Sequence, residues 1–205
     1  MVDLTGLHKH FILEHLKEGD VAVDFTMGNG NDTLFLSKSV GESGKVYAFD
    51  IQEEALISTR AFLESSGAPE NYTLICDSHH KVMDYVKEPI KAGMFNLGYL
   101  PRSGKKAVTT LRETTMPAVK AAIDLLVPDG VLIVAIYPGH EEGALEGEML
   151  REYFSTLSRF KICASEFKIL NSPTSPYFFL IEKSPRVSID TVTEAIRNHE
   201  RRETT

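Results

Sequence analysis

The sequence has no tryptophan and only two cysteines among its 205 residues. Cys76 and Cys163 are too few for a disulfide framework or a cysteine-based metal cluster, so we interpret both as reduced thiols in the core of a cytoplasmic protein. No apolar run approaches the roughly 20 residues that a membrane-spanning helix needs. The first residues, which include His8, His10 and Glu14, lack the basic-then-apolar order of a signal peptide. These absences predict a cytoplasmic protein without a membrane partner.

Basic residues are outnumbered, with 22 lysines and arginines against 29 acidic residues and a net charge of −7. This balance argues against a surface coated with nucleic acid, although it leaves room for a local basic patch. The length suits one domain, and the hydrophobic fraction of 42% is ordinary for a globular protein. We place that domain at residues 1–183 and interpret the polar residues 184–205 as a weak helix or a frayed tail.

Strand-like and helix-like segments alternate along the chain. Short apolar runs predict seven strands, at residues 21–25, 45–51, 72–76, 92–97, 131–136, 161–169 and 177–182. Helical spacing predicts helices between them, at residues 4–16, 32–39, 53–65, 109–126 and 142–158. Because strands that alternate with helices form a parallel sheet with crossover helices, the pattern predicts an α/β fold. The last two strands are joined by the turn-rich NSPTSP, which indicates an antiparallel hairpin.

A glycine-rich polar turn, DFTMGNGND at residues 24–32, follows the first predicted strand. Such a turn lets a ligand approach the backbone closely, and the following helix offers free N–H groups. A dinucleotide fold is one alternative, but its G-x-G-x-x-G fingerprint needs a third glycine where this chain has Thr33. The spacing of Asp24, Gly28 and Gly30 instead resembles the first motif of methyltransferases that use S-adenosylmethionine (SAM). Taken alone, the turn also fits a simple loop.

Acidic residues close the next two predicted strands. Asp50 ends strand two, where a carboxylate can accept hydrogen bonds from both ribose hydroxyls of a nucleotide. Since NAD and SAM both carry that ribose, Asp50 does not distinguish them. Asp77 follows strand three and resembles the methyltransferase acid that accepts the adenine amino group. A helix N-cap is the alternative, and Ser78 suits a cap equally well. A glycine turn or an acidic residue at the end of each of three successive strands favours SAM over NAD as the cofactor.

The fourth predicted strand runs into FNLGYLP at residues 95–101. This run resembles the N-P-P-Y loop of methyltransferases that act on amino nitrogens, with Asn96 at the first polar position and Tyr99 at the aromatic one. A carbonyl there can hold the N–H groups of an amine and aim its lone pair at a methyl donor, and an aromatic ring can stack on a base. Leu97 and Gly98 replace the two prolines, which departs from the pattern. A glycine-proline loop with a buried tyrosine is the structural alternative.

Several stretches together resemble a bacterial family long labelled rRNA methylases: HFILEHLKEGDVAVDFTMGNGNDTLFL, FDIQ, SHH, FNLGYLPRSGKK and IYPGHEEG. The resemblance covers about residues 1–183, with the motifs in order at matching intervals. The characterised activity of that family is methylation of 5-aminomethyl-2-thiouridine at the tRNA wobble position. The resemblance therefore implies a SAM-dependent tRNA methyltransferase, whereas the residues alone lead to a methyltransferase that acts on nitrogen. We expect a doubly wound, Rossmann-like class I methyltransferase fold, with strand order 3-2-1-4-5-7-6 and the last strand antiparallel.

The predicted site residues fall into three groups. The catalytic group is Asn96 and Tyr99. The cofactor-binding group is Asp24, Met27, Gly28, Asn29, Gly30, Asn31, Asp32, Asp50, Ile51, Gln52, Asp77, Ser78, His79 and Asn96. The substrate-binding group is Gly98, Arg102, Lys105, Lys106 and His140. The candidate proton acceptors are His79, His80 and His140. No metal is predicted, because these histidines with Glu141 and Glu142 match no ligand spacing.

A basic segment follows the predicted catalytic strand. Between residues 101 and 120, five basic residues against one acid give a local charge of +4 and leave −11 for the rest of the chain. Such a loop would position an RNA through its phosphates, and a merely solvated loop is the alternative. We expect tRNA as the partner, bound through its anticodon region, and leave a homodimer open. The alternative functions are methylation of rRNA or of a small molecule, and nucleotide binding without catalysis, as in an NAD domain.

Overall fold

The computed structural model describes residues 4–97, 112–139 and 141–203. The helices are α1 (Leu4–His15), α2 (Asn31–Val40), α3 (Glu53–Ser65), α4 (Val82–Tyr85), α5 (Arg112–Leu125), α6 (Glu141–Ser155) and α7 (Ile189–Glu203). The strands are β1 (Val21–Asp24), β2 (Lys45–Asp50), β3 (Tyr72–Cys76), β4 (Ile90–Leu97), β5 (Leu126–Ile136), β6 (Ile162–Phe167) and β7 (Tyr177–Lys183). A 3-10 turn, His79–Lys81, precedes α4. The sequence did not predict α4, because four residues are too few to show helical periodicity.

The seven strands form one sheet in the order β3-β2-β1-β4-β5-β7-β6. The pairs β1–β2, β1–β4, β2–β3 and β4–β5 are parallel. The strand β7 is antiparallel to both of its neighbours. The predicted α/β fold and strand order are thereby confirmed. The strand order reverses between β1 and β4, so a crevice opens beyond their carboxyl ends, which is where open α/β sheets bind ligands.

Successive residues of the central strands point to opposite faces of the sheet, and helices cover both faces. On one side, Ala22 and Met94 pack with apolar residues of α1 and α2. On the other, Val23 and Phe95 pack with apolar residues of α4, α5, α6 and α7. Burial on both faces explains why these strands are almost continuously apolar. The sheet therefore holds the ends of β1, β2 and β4 in fixed relative positions.

The strand β5 begins earlier than the sequence predicted. The expected turn PDG lies inside the strand, which starts at Leu126 and shifts register between Ile90 and Ala92 of β4. Asp129 adopts a left-handed conformation with φ 60°. Its backbone carbonyl accepts hydrogen bonds from Lys91 at 2.7 Å and from His15 at 3.1 Å. These contacts hold a bulge where sequence patterning indicated a turn.

The prediction that both cysteines lie in the core was wrong. Cys76 is exposed and Cys163 is partly exposed. Each belongs to a strand at an edge of the sheet, β3 and β6 respectively. Side chains on edge strands have a neighbouring strand on one side only, so an apolar pattern there does not ensure burial.

The polar C-terminal segment forms the helix α7 rather than a frayed tail. Val192 is fully buried, and Ile196, 7% exposed, packs into the apolar core on one face of the sheet. The boundary between a domain at residues 1–183 and a separate segment stays a prediction. Among the residues that the structure describes, none of the helices is both long enough and apolar enough to cross a membrane.

Candidate functional site

The glycine turn links the carboxyl ends of β1, β2 and β4. Phe25 N–H donates to the carbonyl of Met94 at 2.9 Å, and Met27 N–H donates to the carbonyl of Phe49 at 2.8 Å. Gly30 has φ 82°, and a Cβ built there would lie 2.8 Å from Cγ2 of Thr59. A side chain at Gly30 would therefore meet both an unfavourable backbone conformation and a close neighbour. The turn is a compact backbone surface at the crevice.

Asp24 lies inside this turn. Its side chain is fully buried, with Oδ2 accepting from the Thr33 hydroxyl at 2.7 Å and Oδ1 from Thr26 N–H at 3.1 Å. Burial, followed by repulsion from Asp32, raises the pKa of Asp24 to about 7. The acid thus joins the end of β1 to the first turn of α2. Direct contact of its carboxyl group with a cofactor stays a prediction.

Asp50 connects the end of β2 to the glycine turn. Its Oδ2 accepts from Gly28 N–H at 3.0 Å, and its Oδ1 accepts from Gln52 N–H at 2.9 Å. Burial raises the pKa of Asp50, while these backbone hydrogen bonds oppose the rise. Hydrogen bonds from Ile51 N–H and from the Gln52 side chain oppose the rise as well. The next residue, Ile51, is 56% exposed, which gives an apolar surface beside the Asp50 carboxylate.

Asp77 lies beyond β3 at the same end of the sheet. Its Oδ2 accepts from Lys81 Nζ at 3.1 Å and from the Tyr85 hydroxyl at 2.8 Å. These bonds, with that to Lys81 the larger cause, lower the pKa of Asp77. Ser78 N–H also donates to its Oδ1. Asp77 is therefore an ionised acceptor at this edge, and its proposed contact with adenine stays a prediction.

His79 is buried beneath the glycine turn. Its Nδ1 lies 3.1 Å from the carbonyl oxygen of Phe25, so Nδ1 carries the proton. Its ring packs edge-on against Phe95, with 5.6 Å between centroids. Among the described residues, none makes a hydrogen bond to its Nε2. Burial lowers the pKa of His79 to about 4, which makes it a poor base at neutral pH. These contacts indicate that His79 supports the glycine turn rather than acting as a base.

Asn96 lies near the end of β4 and contacts two parts of the glycine turn. Its backbone N–H donates to the Thr26 hydroxyl at 2.7 Å. Its side-chain Nδ2 donates to Asp32 Oδ2 at 2.7 Å. The hydroxyl of Tyr137, which follows β5, lies 3.5 Å from the side-chain carbonyl Oδ1. That distance is too long for a strong hydrogen bond, so Oδ1 retains acceptor capacity.

Asp32 also contacts the N-terminal helix. Its Oδ1 forms an ion pair with Lys9 Nζ at 3.0 Å. The same ammonium lies 5.1 Å from the centroid of the Phe35 ring. The helix α1 thus reaches the first turn of α2 beside the site.

Sequence reasoning missed three of these residues. Thr26 occupies an unspecified position of the turn motif. Tyr137 lies in the stretch IYPGHEEG, from which only His140 was selected. No motif or spacing around Lys9 in the sequence indicates a place in the site. The contacts of these three residues join segments that are distant in sequence: the Thr26 hydroxyl accepts from Asn96 N–H, the Tyr137 hydroxyl faces the Asn96 carbonyl, and Lys9 pairs with Asp32.

The structure describes some of the remaining predicted site residues and leaves others outside its described ranges. On the turn, Met27 is buried, whereas Asn29 and Asn31 are exposed. Outside the described residues lie Gly98, Tyr99, Arg102, Lys105, Lys106 and His140. Among the described residues, no group of three or more histidine, cysteine, aspartate or glutamate side chains is arranged to hold a metal ion.

Comparison with known proteins gives consistent matches. A family model described as "Putative rRNA methylase" matches residues 46–183. A chloroplastic tRNA (mnm(5)s(2)U34)-methyltransferase from Arabidopsis thaliana is 38% identical over an alignment of 185 residues that covers 85% of this chain and 67% of that protein. A crystal structure from Clostridium thermocellum, described as an rRNA methylase, is 39% identical with a TM-score of 0.85, over 89% of this chain and 98% of that one. A Streptococcus mutans methyltransferase solved with S-adenosylhomocysteine is 38% identical with a TM-score of 0.81, over 89% and 99%.

Proposed function

The chain belongs to the rRNA methylase family of SAM-dependent methyltransferases, and from that premise we propose that it N-methylates the aminomethyl group of 5-aminomethyl-2-thiouridine at the tRNA wobble position. The observation that carries the proposal is the orientation of Asn96. Its NH₂ group is held by Asp32 at 2.7 Å, while its carbonyl retains acceptor capacity. An acceptor oxygen at the crevice suits a substrate that presents amine N–H groups.

Several features of the crevice support binding of SAM at this position. Asp50 would accept hydrogen bonds from the ribose hydroxyls, the exposed Ile51 would give adenine an apolar surface, and the Asp77 carboxylate would accept from its amino group. The backbone of the turn at Gly28 and Gly30 would carry the amino acid end of the molecule, and both glycines adopt a positive φ, 51° and 82°, that residues with a Cβ avoid. When bound, SAM supplies an electrophilic methyl carbon on a positively charged sulfur.

The protein's main task is then to orient a neutral amine. An aliphatic amine has a pKa of about 10, by analogy with lysine, so it is mostly protonated in water. Desolvation in a crevice lowers that pKa and favours the neutral form. The Asn96 carbonyl would accept one N–H of the amine and direct its lone pair. Correct orientation alone accounts for a large part of many enzymatic accelerations.

The proposed tRNA substrate rests on two further observations. The Arabidopsis relative is a tRNA methyltransferase by name, and the segment 101–120 carries a local charge of +4. Arg102, Lys105 and Lys106 would contact phosphates of the anticodon region, and Tyr99 would stack on the wobble base. Gly98 and His140 complete the proposed substrate-binding set. A cytoplasmic location and a homodimer also stay proposals.

Nucleoside mass spectrometry tests the proposal. The purified protein is incubated with SAM and with bulk tRNA that contains 5-aminomethyl-2-thiouridine, and the digested nucleosides are analysed. We expect this nucleoside to be converted to a species heavier by one methyl group. Equal amounts of rRNA serve as the parallel substrate, because the family description names rRNA. Methylation of rRNA with no change in tRNA would contradict the proposal.

A further inference from the structure

A chain of charged and polar contacts joins three elements at the site. Lys9 of α1 lies 3.0 Å from Asp32 Oδ1, and Asp32 Oδ2 of α2 accepts from Asn96 Nδ2 of β4 at 2.7 Å. Asp32 is therefore held through both oxygens, one by a cation and one by an amide. Its side chain is only 15% exposed, so water competes weakly for these bonds.

This series of contacts determines which way the Asn96 amide faces. An ionised carboxylate only accepts hydrogen bonds, so it must face the NH₂ group of the amide. Rotation of the amide by half a turn would place the carbonyl oxygen against the Asp32 carboxylate, where two acceptors repel. The carbonyl is thereby directed away from Asp32, towards the side where the Tyr137 hydroxyl lies 3.5 Å from it.

The Lys9 ammonium lies beside a group of carboxyl side chains and pairs with one of them, Asp32. Asp24, Asp32 and Asp50 lie close enough for their charges to interact around one turn. The ammonium is restrained on two sides, by Asp32 and by the Phe35 ring at 5.1 Å. Without it, Asp32 would lose the cation that helps to fix its position.

We propose that Lys9 and Asp32 are positioning residues for the methyl-transfer reaction, and that through them α1 holds the Asn96 carbonyl towards the acceptor amine. This inference rests on the proposed function to the extent that Asn96 orients an amine. It assigns a role in turnover to the helix α1, whereas the sequence motifs lie at the ends of the strands. Neither residue needs to touch the substrate for this role.

The test compares charge removal with charge retention at Lys9. Lys9→Met keeps an unbranched stem of similar length and removes the ammonium, whereas Lys9→Arg keeps the charge. Lys38→Met is the matched control, because Lys38 is exposed on α2. We expect Lys9→Met to lower kcat roughly 10- to 100-fold, as small misplacements at a reacting centre do. The KM for tRNA, the Kd for SAM and the melting temperature should stay near wild type. Lys9→Arg should recover most of kcat.

A double-mutant cycle with Asn96→Ala tests whether Lys9 acts through Asn96. If it does, adding Lys9→Met to Asn96→Ala should slow turnover no further, because the group being positioned is already absent. Independent, multiplicative losses would overturn the proposal. A raised KM for tRNA with a weaker salt dependence would also overturn it, because that result identifies Lys9 as a phosphate contact. A fall in melting temperature and SAM affinity together would assign Lys9 a structural role instead.

One readout is independent of the substrate. In ¹⁵N-labelled protein, the side-chain NH₂ signals of Asn96 are identified by their loss in Asn96→Ala. They should shift in Lys9→Met and stay in place in Lys38→Met. Unchanged signals in Lys9→Met would overturn the positioning role even if the acceptor proves to be rRNA. Conversely, failure to methylate tRNA with shifted signals would refute the proposed function alone.

Discussion

Asp24 makes the folding stability of this protein depend on pH near neutrality. The carboxyl group is fully buried, and burial together with repulsion from Asp32 raises its pKa to about 7. The bonds from Thr33 and Thr26 lower the pKa but do not cancel the effect of burial. In the folded protein this acid therefore holds its proton at a pH where the unfolded chain has released it.

The sign and size of the effect follow from proton linkage. A carboxyl group whose pKa is raised on folding contributes stability that is complete below its unfolded pKa, 3.8, and is lost as the pH rises through about 7. A difference of about 3 units, at about 1.36 kcal/mol per unit, corresponds to about 4 kcal/mol over the full range. Between pH 5 and 8, the expected loss from Asp24 is about 3 kcal/mol.

Asp24→Asn should remove this pH dependence with little change in shape. The amide oxygen can still accept from Thr26 N–H, and the amide NH₂ can donate to the Thr33 hydroxyl, which both donates and accepts. We expect the free energy of unfolding of the variant, measured by urea titration without SAM, to fall less than that of wild type between pH 5 and 8. The difference between the two pH dependences of the free energy of unfolding measures the contribution of Asp24 protonation.

Glu42→Gln is the matched control, since it removes a carboxylate at an exposed position. Its pH profile should follow that of wild type. Parallel profiles for wild type and Asp24→Asn would refute the reasoning, because they would show that Asp24 titrates alike in the folded and unfolded chains. A wild-type protein that becomes more stable from pH 5 to 8, with Asp24→Asn lacking that rise, would show that the sign is wrong.

Three further predictions address the site. Asp50→Ala should weaken SAM binding by roughly 1.5–3 kcal/mol, the value of hydrogen bonds to a charged group, and an unchanged Kd in calorimetry would contradict the ribose assignment. Asn96→Ala should lower kcat about 10²- to 10³-fold while SAM affinity and the melting temperature hold, and near-normal turnover in a well-folded variant would remove Asn96 from the mechanism. Neutralising Lys105 and Lys106 should weaken tRNA binding and flatten its salt dependence without changing SAM affinity; an unchanged slope would mean that neither lysine contacts phosphate.

The fold and much of the candidate site could be predicted from local patterns. Apolar runs separated by helical spacing indicate a parallel sheet, and the ends of such strands are visible in the sequence because a polar residue interrupts each run. Asp50 and Asn96 were found in this way, near strand ends that the structure brings together at the carboxyl end of the sheet. The glycines were equally visible, since Gly30 adopts a φ of 82° that other residues avoid.

Local patterns failed where a position depends on its neighbours in space. The sequence PDG indicated a turn, but contacts from Lys91 and His15 hold it as a bulge within β5. The apolar run around Cys76 predicted a position in the core, yet its strand lies at the edge of the sheet and Cys76 is exposed. Neighbouring segments decide both outcomes, and strand periodicity carries no information about which neighbours a strand acquires.

The sequence by itself determined that strands and helices alternate, that a glycine turn follows the first strand, and that polar residues end its neighbours. Only the tertiary structure decided what those polar groups do. The contact of Asn96 with Asp32 spans 64 positions, and Lys9 reaches the same carboxylate from another helix. The burial that raises the pKa of Asp24 and lowers that of His79 comes from segments remote in the chain. Periodicity reports the environment along one segment, whereas hydrogen-bond partners and desolvation are set by the segments packed around it.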